Sequence, residues 1–230
     1  MSETVRPPMH IMNNDRRDIK KDKKIIARAL RIVFIALGIL VLLTAVLYVA
    51  ELLLSGDPVD LTSKEEGIYF FPADYSANIF EDDYYMALDR RIMFTSYGIT
   101  EELDGSDNES FGAAANMFYG YFTAIIEGDY EEYPSYFTES GLKNIVIPER
   151  FTMQKIYDID ISLFSASASG DTTVEVYQVS YRILENNGTF RGDISSGATR
   201  TLVFEVYVSG KEALINSIGF RTDSDRVTSE

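Results

Sequence analysis

Residues 172–184 read TTVEVYQVSYRIL, and their alternation decides the fold. Four bulky apolar side chains share one face of an extended strand, because successive side chains point to opposite faces: Tyr177, Val179, Tyr181 and Ile183. Val174 and Val176 fall on the other face, and this change of phase predicts a β-bulge near Val176. The stretch therefore predicts a long strand with one aromatic, core-facing side.

Three more strands are predicted around this one. Residues 153–165 precede it with the same alternation of apolar and polar side chains, and residues 198–208 and 212–221 follow it. Turn-forming residues separate the last two strands at Ser209-Gly210-Lys211. Four successive strands joined by turns predict an antiparallel meander.

Upstream of the strands, residues 110–128 have the three- and four-residue apolar spacing of an amphipathic helix. The apolar positions are Phe111, Ala114, Ala115, Phe118, Phe122 and Ile125. Gly128 is a typical helix end. Asp129 and Glu132 then resemble a capping box, which predicts a short second helix.

The order of these elements resembles the nuclear transport factor two-like superfamily. The resemblance depends on the helix ending at Gly128-Asp129, the second helix ending at Tyr136-Phe137-Thr138, and the four long strands, and it covers about residues 110–222. It implies a cone in which a curved sheet wraps around the helices. The superfamily includes enzymes, small-ligand binders and interaction modules, so the resemblance implies a fold more than a function.

A membrane-spanning helix is predicted near the N-terminus. Residues 32–50, IVFIALGILVLLTAVLYVA, form an uncharged run of nineteen residues. As a helix the run is about 28 Å long, close to the thickness of about 30 Å of a hydrocarbon core. It lacks the polar stripe of a core helix and is longer than the apolar region of a cleavable signal peptide. We therefore expect a retained anchor at residues 32–54.

The charges around this run predict its orientation. Six cations precede it: Lys20, Lys21, Lys23, Lys24, Arg28 and Arg31. Acidic residues dominate after it, so the positive-inside rule predicts a cytoplasmic N-terminus and an extracytoplasmic C-terminal part. The expected location is the cell membrane, as a single-pass protein.

Composition excludes several function classes. The 230 residues include 21 Lys and Arg against 36 Asp and Glu, a net charge of −15 that disfavours nucleic acid as a partner. Residues 1–31 carry +5 and residues 32–230 carry −20. The chain has no Cys and a single His, so we expect no disulfide, no metal site and no cofactor. The lack of Cys in an extracytoplasmic domain favours a bacterial cell envelope.

The predicted domains are a basic cytoplasmic tail (1–31), the transmembrane helix (32–54), a stalk with an aromatic-rich accessory segment (55–109), the cone domain (110–222) and a polar tail (223–230). Within the accessory segment, residues 67–100 have two interpretations. Their many Phe and Tyr residues either pack on the main domain or form a partner-binding arm.

The sequence predicts no catalytic residues. The carboxylates of the strands alternate with apolar residues, which indicates a solvent-facing row: Asp158, Asp160, Glu175 and Glu205. Aromatic side chains are instead the candidates for a pocket or interface, either on the helix and strand faces or in the accessory segment: Tyr177, Tyr181, Phe118, Phe122, Tyr84 and Tyr85.

The predicted fold class is therefore α+β, with a single N-terminal transmembrane helix followed by a helix–helix–four-stranded antiparallel curved-sheet cone. The predicted function is a non-catalytic interaction or assembly domain with protein partners in the cell envelope, homo-oligomers included. This layout is similar to the bridging inner-membrane components of type IV secretion and conjugation systems. The alternative is a small-ligand-binding or sensing cone, and an isomerase- or dehydratase-like enzyme is less favoured.

Overall fold

The computed structural model describes residues 58–106 and 108–220, and a six-stranded sheet dominates them. The strands are β1 (Val59–Asp60), β2 (Ile92–Ser96), β3 (Ile99–Leu103), β4 (Ile145–Val146), β5 (Lys155–Ser169), β6 (Thr172–Leu184), β7 (Leu202–Ser209) and β8 (Glu212–Phe220). The helices are α1 (Asp83–Met86), α2 (Ala113–Glu127) and α3 (Glu139–Asn144). Short 3₁₀ turns lie at Ile79–Glu81, Asn108–Phe111 and Tyr133–Tyr136.

The large sheet has the strand order β3-β2-β5-β6-β7-β8. Its pairs are antiparallel except for β2 and β5, which run parallel with Ile92 opposite Ile159. The short strands β1 and β4 form a separate parallel pair. The sheet thus joins a hairpin from the first half of the described chain to a meander from the second half.

The core lies between α2 and the inner face of the sheet. The Phe118 ring of α2 lies 5.0 Å from the Tyr177 ring of β6 and 5.6 Å from the Phe204 ring of β7. All three side chains are almost fully buried, and edge-to-face contacts of this kind add to the hydrophobic contribution of each ring. The predicted helix is confirmed, and it ends at Gly128 in the left-handed conformation, with φ of +72°.

The predicted fold class is wrong. The described chain is mostly sheet, and its main sheet has six strands, because β2 and β3 extend the four predicted strands. Glu101 and Glu102, which fall in the segment predicted as stalk and accessory segment (55–109), belong to edge strand β3. An edge strand tolerates such polar side chains because one side of it pairs with no neighbour. The predicted second helix is only the 3₁₀ turn Tyr133–Tyr136.

The transmembrane part of the predicted fold class is corrected as well. Among residues 58–106 and 108–220, no helix combines the length and apolar character needed to cross a membrane. The longest, α2, has 15 residues and would span only about 22 Å. The segments predicted as cytoplasmic tail (1–31), anchor (32–54) and polar tail (223–230) lie outside the described residues, as do the orienting cations.

The predicted bulge lies in β5 and not in β6. Leu163 of β5 pairs with Tyr177, and Ser165 pairs with Val176, so Phe164 is the extra residue. Strand β6 keeps a regular register with β7 from Thr173 to Val179. Val174 and Val176 of β6 therefore lie on the outer face of a regular strand.

A glycine substitution tests the close contact between the end of α2 and the segment just before β5. A Cβ atom at Gly128 would lie 2.7 Å from the Met153 backbone nitrogen, in addition to the strain of its positive φ. We expect Gly128→Ala to lower the free energy of unfolding by about 2–4 kcal/mol. Gly210→Ala is the matched control, because Gly210 also has a positive φ but faces open space, and we expect a loss of about 1 kcal/mol. Urea unfolding followed by circular dichroism measures both, and equal losses would contradict the contact.

Candidate functional site

Most of the aromatic residues predicted as a pocket or interface lie in the core. Phe118, Phe122, Tyr177 and Tyr181 are almost fully buried, and the Phe122 and Tyr181 rings lie 5.4 Å apart. The structure thus brings these four together as packed neighbours on α2 and β6.

The other two predicted residues are neighbours on α1 with opposite environments. Tyr85 is fully buried and donates a hydrogen bond of 2.9 Å from its Oη to the carbonyl oxygen of Ile156. Tyr84 is 67% exposed. The accessory segment that carries them therefore contacts the sheet through Tyr85, while Tyr84 faces solvent.

A buried polar cluster that the sequence pattern did not predict lies beside the aromatic core. Arg191, in the connection between β6 and β7, is fully buried and binds both carboxylate oxygens of Asp193 through its Nε and Nη2 atoms. Its Nη1 atom donates to the Tyr181 Oη at 2.9 Å. The signal in the sequence is an Arg-Gly-Asp triplet between Phe190 and Ile194, two apolar residues that are also buried.

This buried cluster has the properties of a structural element. Asp193 also lies 3.3 Å from the Nη1 atom of Arg200, so two guanidinium groups hold its carboxylate. A buried ion pair of this kind fixes the chain, since removal of Asp193 would leave the buried Arg191 charge without compensation. Burial also raises the pKa of the Tyr121, Tyr133 and Tyr181 hydroxyls, so these stay protonated near neutral pH.

The four strand carboxylates were expected to face solvent, but one of them does not. Asp158 and Asp160 are exposed, and Asp158 lies 3.5 Å from Arg182. Glu205 accepts a hydrogen bond from the Asn216 side chain. Glu175 differs, because it lies opposite the buried Val206 and therefore on the inner face of the sheet.

Glu175 contributes to a cleft of about 320 Å³ at one end of the sheet, which we call the hairpin cleft. The β2–β3 hairpin, the start of α2 and strand β6 form its walls. Its principal side chains are Phe94, Tyr97, Ile99, Glu101, Phe111 and Tyr177. Of the predicted site residues, Tyr177 is the one that lines this cleft. The volume is at the lower end of the range of small-molecule sites, which starts at roughly 300 Å³.

The rim of the hairpin cleft exposes large apolar side chains. Tyr97 is 79% exposed and Ile99 is 63% exposed, and Phe111 on the opposite wall is also exposed. Tyr97 and Gly98 are the two loop residues of the hairpin, and both have positive φ, of 50° and 81°. Such a two-residue turn favours Asn or Asp before Gly, because β-carbons crowd the left-handed conformation. A tyrosine at this position is strained, and strain of this kind is concentrated at functional sites.

The charge of the hairpin cleft is negative. Glu101 and Glu175 line it, and within the described part of the chain no Lys or Arg does. The Tyr177 Oη donates a hydrogen bond of 2.7 Å to the Glu175 carboxylate, which fixes that charge on the inner face. The cleft therefore combines an apolar rim with two carboxylates.

Neither a metal site nor a relative identifies the activity. Over residues 58–106 and 108–220, no three His, Asp or Glu side chains are grouped so that they could hold a metal ion. No protein-family model, no curated protein and no solved structure matches the chain. The resemblance to the nuclear transport factor two-like superfamily therefore stays a prediction.

The buried tyrosines predict a loss of stability at high pH. Burial raises the pKa of Tyr85 to about 12, and it also raises the pKa of Tyr177. In the unfolded chain tyrosines lose their protons near pH 10, so above that pH the unfolded state binds fewer protons than the folded state. The free energy of unfolding is therefore complete below about pH 10 and falls as the pH rises toward 12.

Urea unfolding between pH 8 and pH 12 measures this dependence, with tyrosinate absorbance as a second signal. Between about pH 10 and pH 12, each buried tyrosine contributes a slope of about 1.4 kcal/mol per pH unit. Tyr85→Phe is expected to remove about one such contribution. A free energy of unfolding that stays constant through this range would contradict the burial of these hydroxyls.

Proposed function

We propose that residues 58–220 form a non-catalytic interaction domain that binds a protein partner at the hairpin cleft. The observation that carries the proposal is Tyr97, an exposed aromatic side chain held in a strained turn at the rim of an apolar cleft. Exposed aromatic residues grouped around a cleft are typical anchors of protein interfaces.

The strain at Tyr97 supports a role outside folding. Asn at this position would fit the positive φ better, and the Tyr97 ring buries little of its surface within the chain. The residue thus lowers stability without a compensating contact. A contact made by a partner would provide that compensation.

The charge of the cleft defines the chemistry of the partner. Two carboxylates without a lining cation favour a partner segment that carries Lys or Arg beside apolar side chains. The apolar rim would bury the hydrophobic part of this segment, while Glu101 and Glu175 would pair with its cation. The partner is therefore an apolar, basic protein segment.

A small ligand is the second candidate for the same cleft. The volume of about 320 Å³ would hold a compact apolar amine, and the same two carboxylates would bind its ammonium group. The two candidates differ in the contact with Tyr97, because a ligand seated in the cleft depends less on an exposed rim residue than a protein segment does.

Tyr97→Asn tests the proposal without damage to the fold. We expect the variant to be slightly more stable than the wild type, by up to about 1 kcal/mol, because Asn fits the turn. We also expect it to lose at least about tenfold in affinity for the partner, since anchor residues commonly contribute that much. Quantitative crosslinking in cells, followed by mass spectrometry of the crosslinked peptides, measures partner capture.

Tyr69→Asn is the matched control, because Tyr69 is 88% exposed and does not line the hairpin cleft. The proposal requires that the control captures the same partner as the wild type and that the crosslinked segment is apolar and basic. Equal capture by wild type and Tyr97→Asn would overturn it. Equal protein capture, together with binding of a small apolar amine that Tyr97→Asn leaves unchanged, would favour the second candidate.

A further inference from the structure

A second cleft, of about 550 Å³, lies between α1, the hairpin and α2, and we call it the Arg90 cleft. Tyr119, Thr123, Ile126 and Glu127 of α2 form one wall, since their spacing places them on one helical face. Tyr85, Arg90 and Arg91 form the opposite wall, and Glu102 of β3 lies at its edge. It shares no lining residue with the hairpin cleft.

Arg90 is held in position without a counter-charge. Its guanidinium lies 5.6 Å from the centre of the Tyr85 ring, a cation–π contact that orients it. Its Nε atom is buried and has no hydrogen-bond partner. In the described part of the chain, Arg90 forms no salt bridge. An arginine in this state is prepared for a carboxylate or phosphate, which a guanidinium binds through two parallel hydrogen bonds.

The neighbours of Arg90 do not supply the missing charge. Arg91 binds both oxygens of Asp89, with contacts of 2.9 Å from Nε and 2.6 Å from Nη2, so that carboxylate is occupied. The Tyr85 hydroxyl donates to the Ile156 carbonyl, and its pKa of about 12 keeps it neutral. Tyr85 thus gives Arg90 a ring face and no negative charge.

Three further carboxylates line the Arg90 cleft: Glu102, Asp104 and Glu127. Asp104 accepts hydrogen bonds from the backbone nitrogen and the hydroxyl of Ser106. Glu102 and Glu127 are exposed, and neither side chain makes a hydrogen bond or a salt bridge that the structure shows within residues 58–106 and 108–220, although Glu102 has an electrostatic interaction with Arg91. These carboxylates would repel a simple anion. A molecule with one carboxylate and two ammonium groups would instead match the Arg90 guanidinium and the carboxylates of Glu102 and Glu127.

We propose that the Arg90 cleft binds a free α-amino acid with a cationic side chain, such as lysine. Arg90 binds the α-carboxylate, and Glu102 and Glu127 bind the two ammonium groups. The methylene chain of the ligand then lies along the apolar wall formed by Leu103 and Ile126. This site is independent of the interaction proposed for the hairpin cleft, because a different set of residues forms it.

Isothermal titration of the full chain with L-lysine at fixed ionic strength tests the proposal. We expect lysine to bind and glutamate to bind at least about tenfold more weakly, since its side chain meets Glu102 and Glu127. We expect Arg90→Gln to weaken lysine binding by about 10–100-fold, the loss of a charge-assisted hydrogen-bond pair. Arg150→Gln is the matched control, because Arg150 also contacts a tyrosine ring, at 4.2 Å from Tyr75, and lies outside the cleft.

Lysinamide, which lacks the carboxylate, gives a test on the wild type that does not depend on the folding of Arg90→Gln. The protein has a net charge of −15, so non-specific attraction would favour lysinamide over lysine. Weaker binding of lysinamide is therefore specific evidence for the contact with Arg90. A second variant, Glu127→Gln, tests the contact with an ammonium group, and we expect it to bind lysine more weakly than the wild type does. The proposal is overturned if lysine does not bind at about 10 mM, if lysinamide binds as well as lysine, or if Arg90→Gln binds lysine unchanged.

Discussion

The buried ion pair of Arg191 and Asp193 is the contact on which the long connection between β6 and β7 depends. Gly192, between them, donates a 2.6 Å hydrogen bond to the Leu61 carbonyl, and a Cβ atom there would clash with the Thr62 backbone oxygen. The triplet thus joins the beginning of the described chain to the connection, while the Tyr181 hydroxyl joins it to β6. Loss of Asp193 would leave the Arg191 guanidinium without a carboxylate in the core, which costs about 3–5 kcal/mol.

The sequence predicted the elements whose signals are local. Strands β5 to β8 and helix α2 follow from apolar periodicity, and the end of α2 follows from Gly128. The β2–β3 hairpin was missed because its turn is Tyr97-Gly98, without the Asn or Asp that marks such turns. Its second strand is too polar to show alternation. The bulge was assigned to the wrong strand because Val174 and Val176 lie on the outer face of β6, where apolar side chains break the expected period.

The candidate sites were less predictable, because residues distant in sequence form them. Periodicity identified Tyr177 and Tyr181 as inward-facing, but it does not distinguish a cleft wall from a filled core. Both side chains are buried, yet Tyr177 lines the hairpin cleft and Tyr181 does not. The hairpin cleft exists because the β2–β3 hairpin, the start of α2 and Glu175 of β6 line the same space. Arg90 gave no signal at all, since an unpaired arginine is recognised only when its surroundings are known.

The parallel pairing of β2 with β5 has a consequence for the order of folding. Ile92 of β2 has no neighbour on the β5 side of the sheet until Ile159, 67 residues later in the chain, has been synthesised. At a synthesis rate of about 5–20 residues per second, the hairpin remains without that neighbour for roughly 3–13 s on the ribosome. During that interval the buried side chains of Tyr85 and Phe94 lack the strands that cover them in the folded state. The aromatic-rich first half of the domain thus keeps apolar surface exposed until β5 is made.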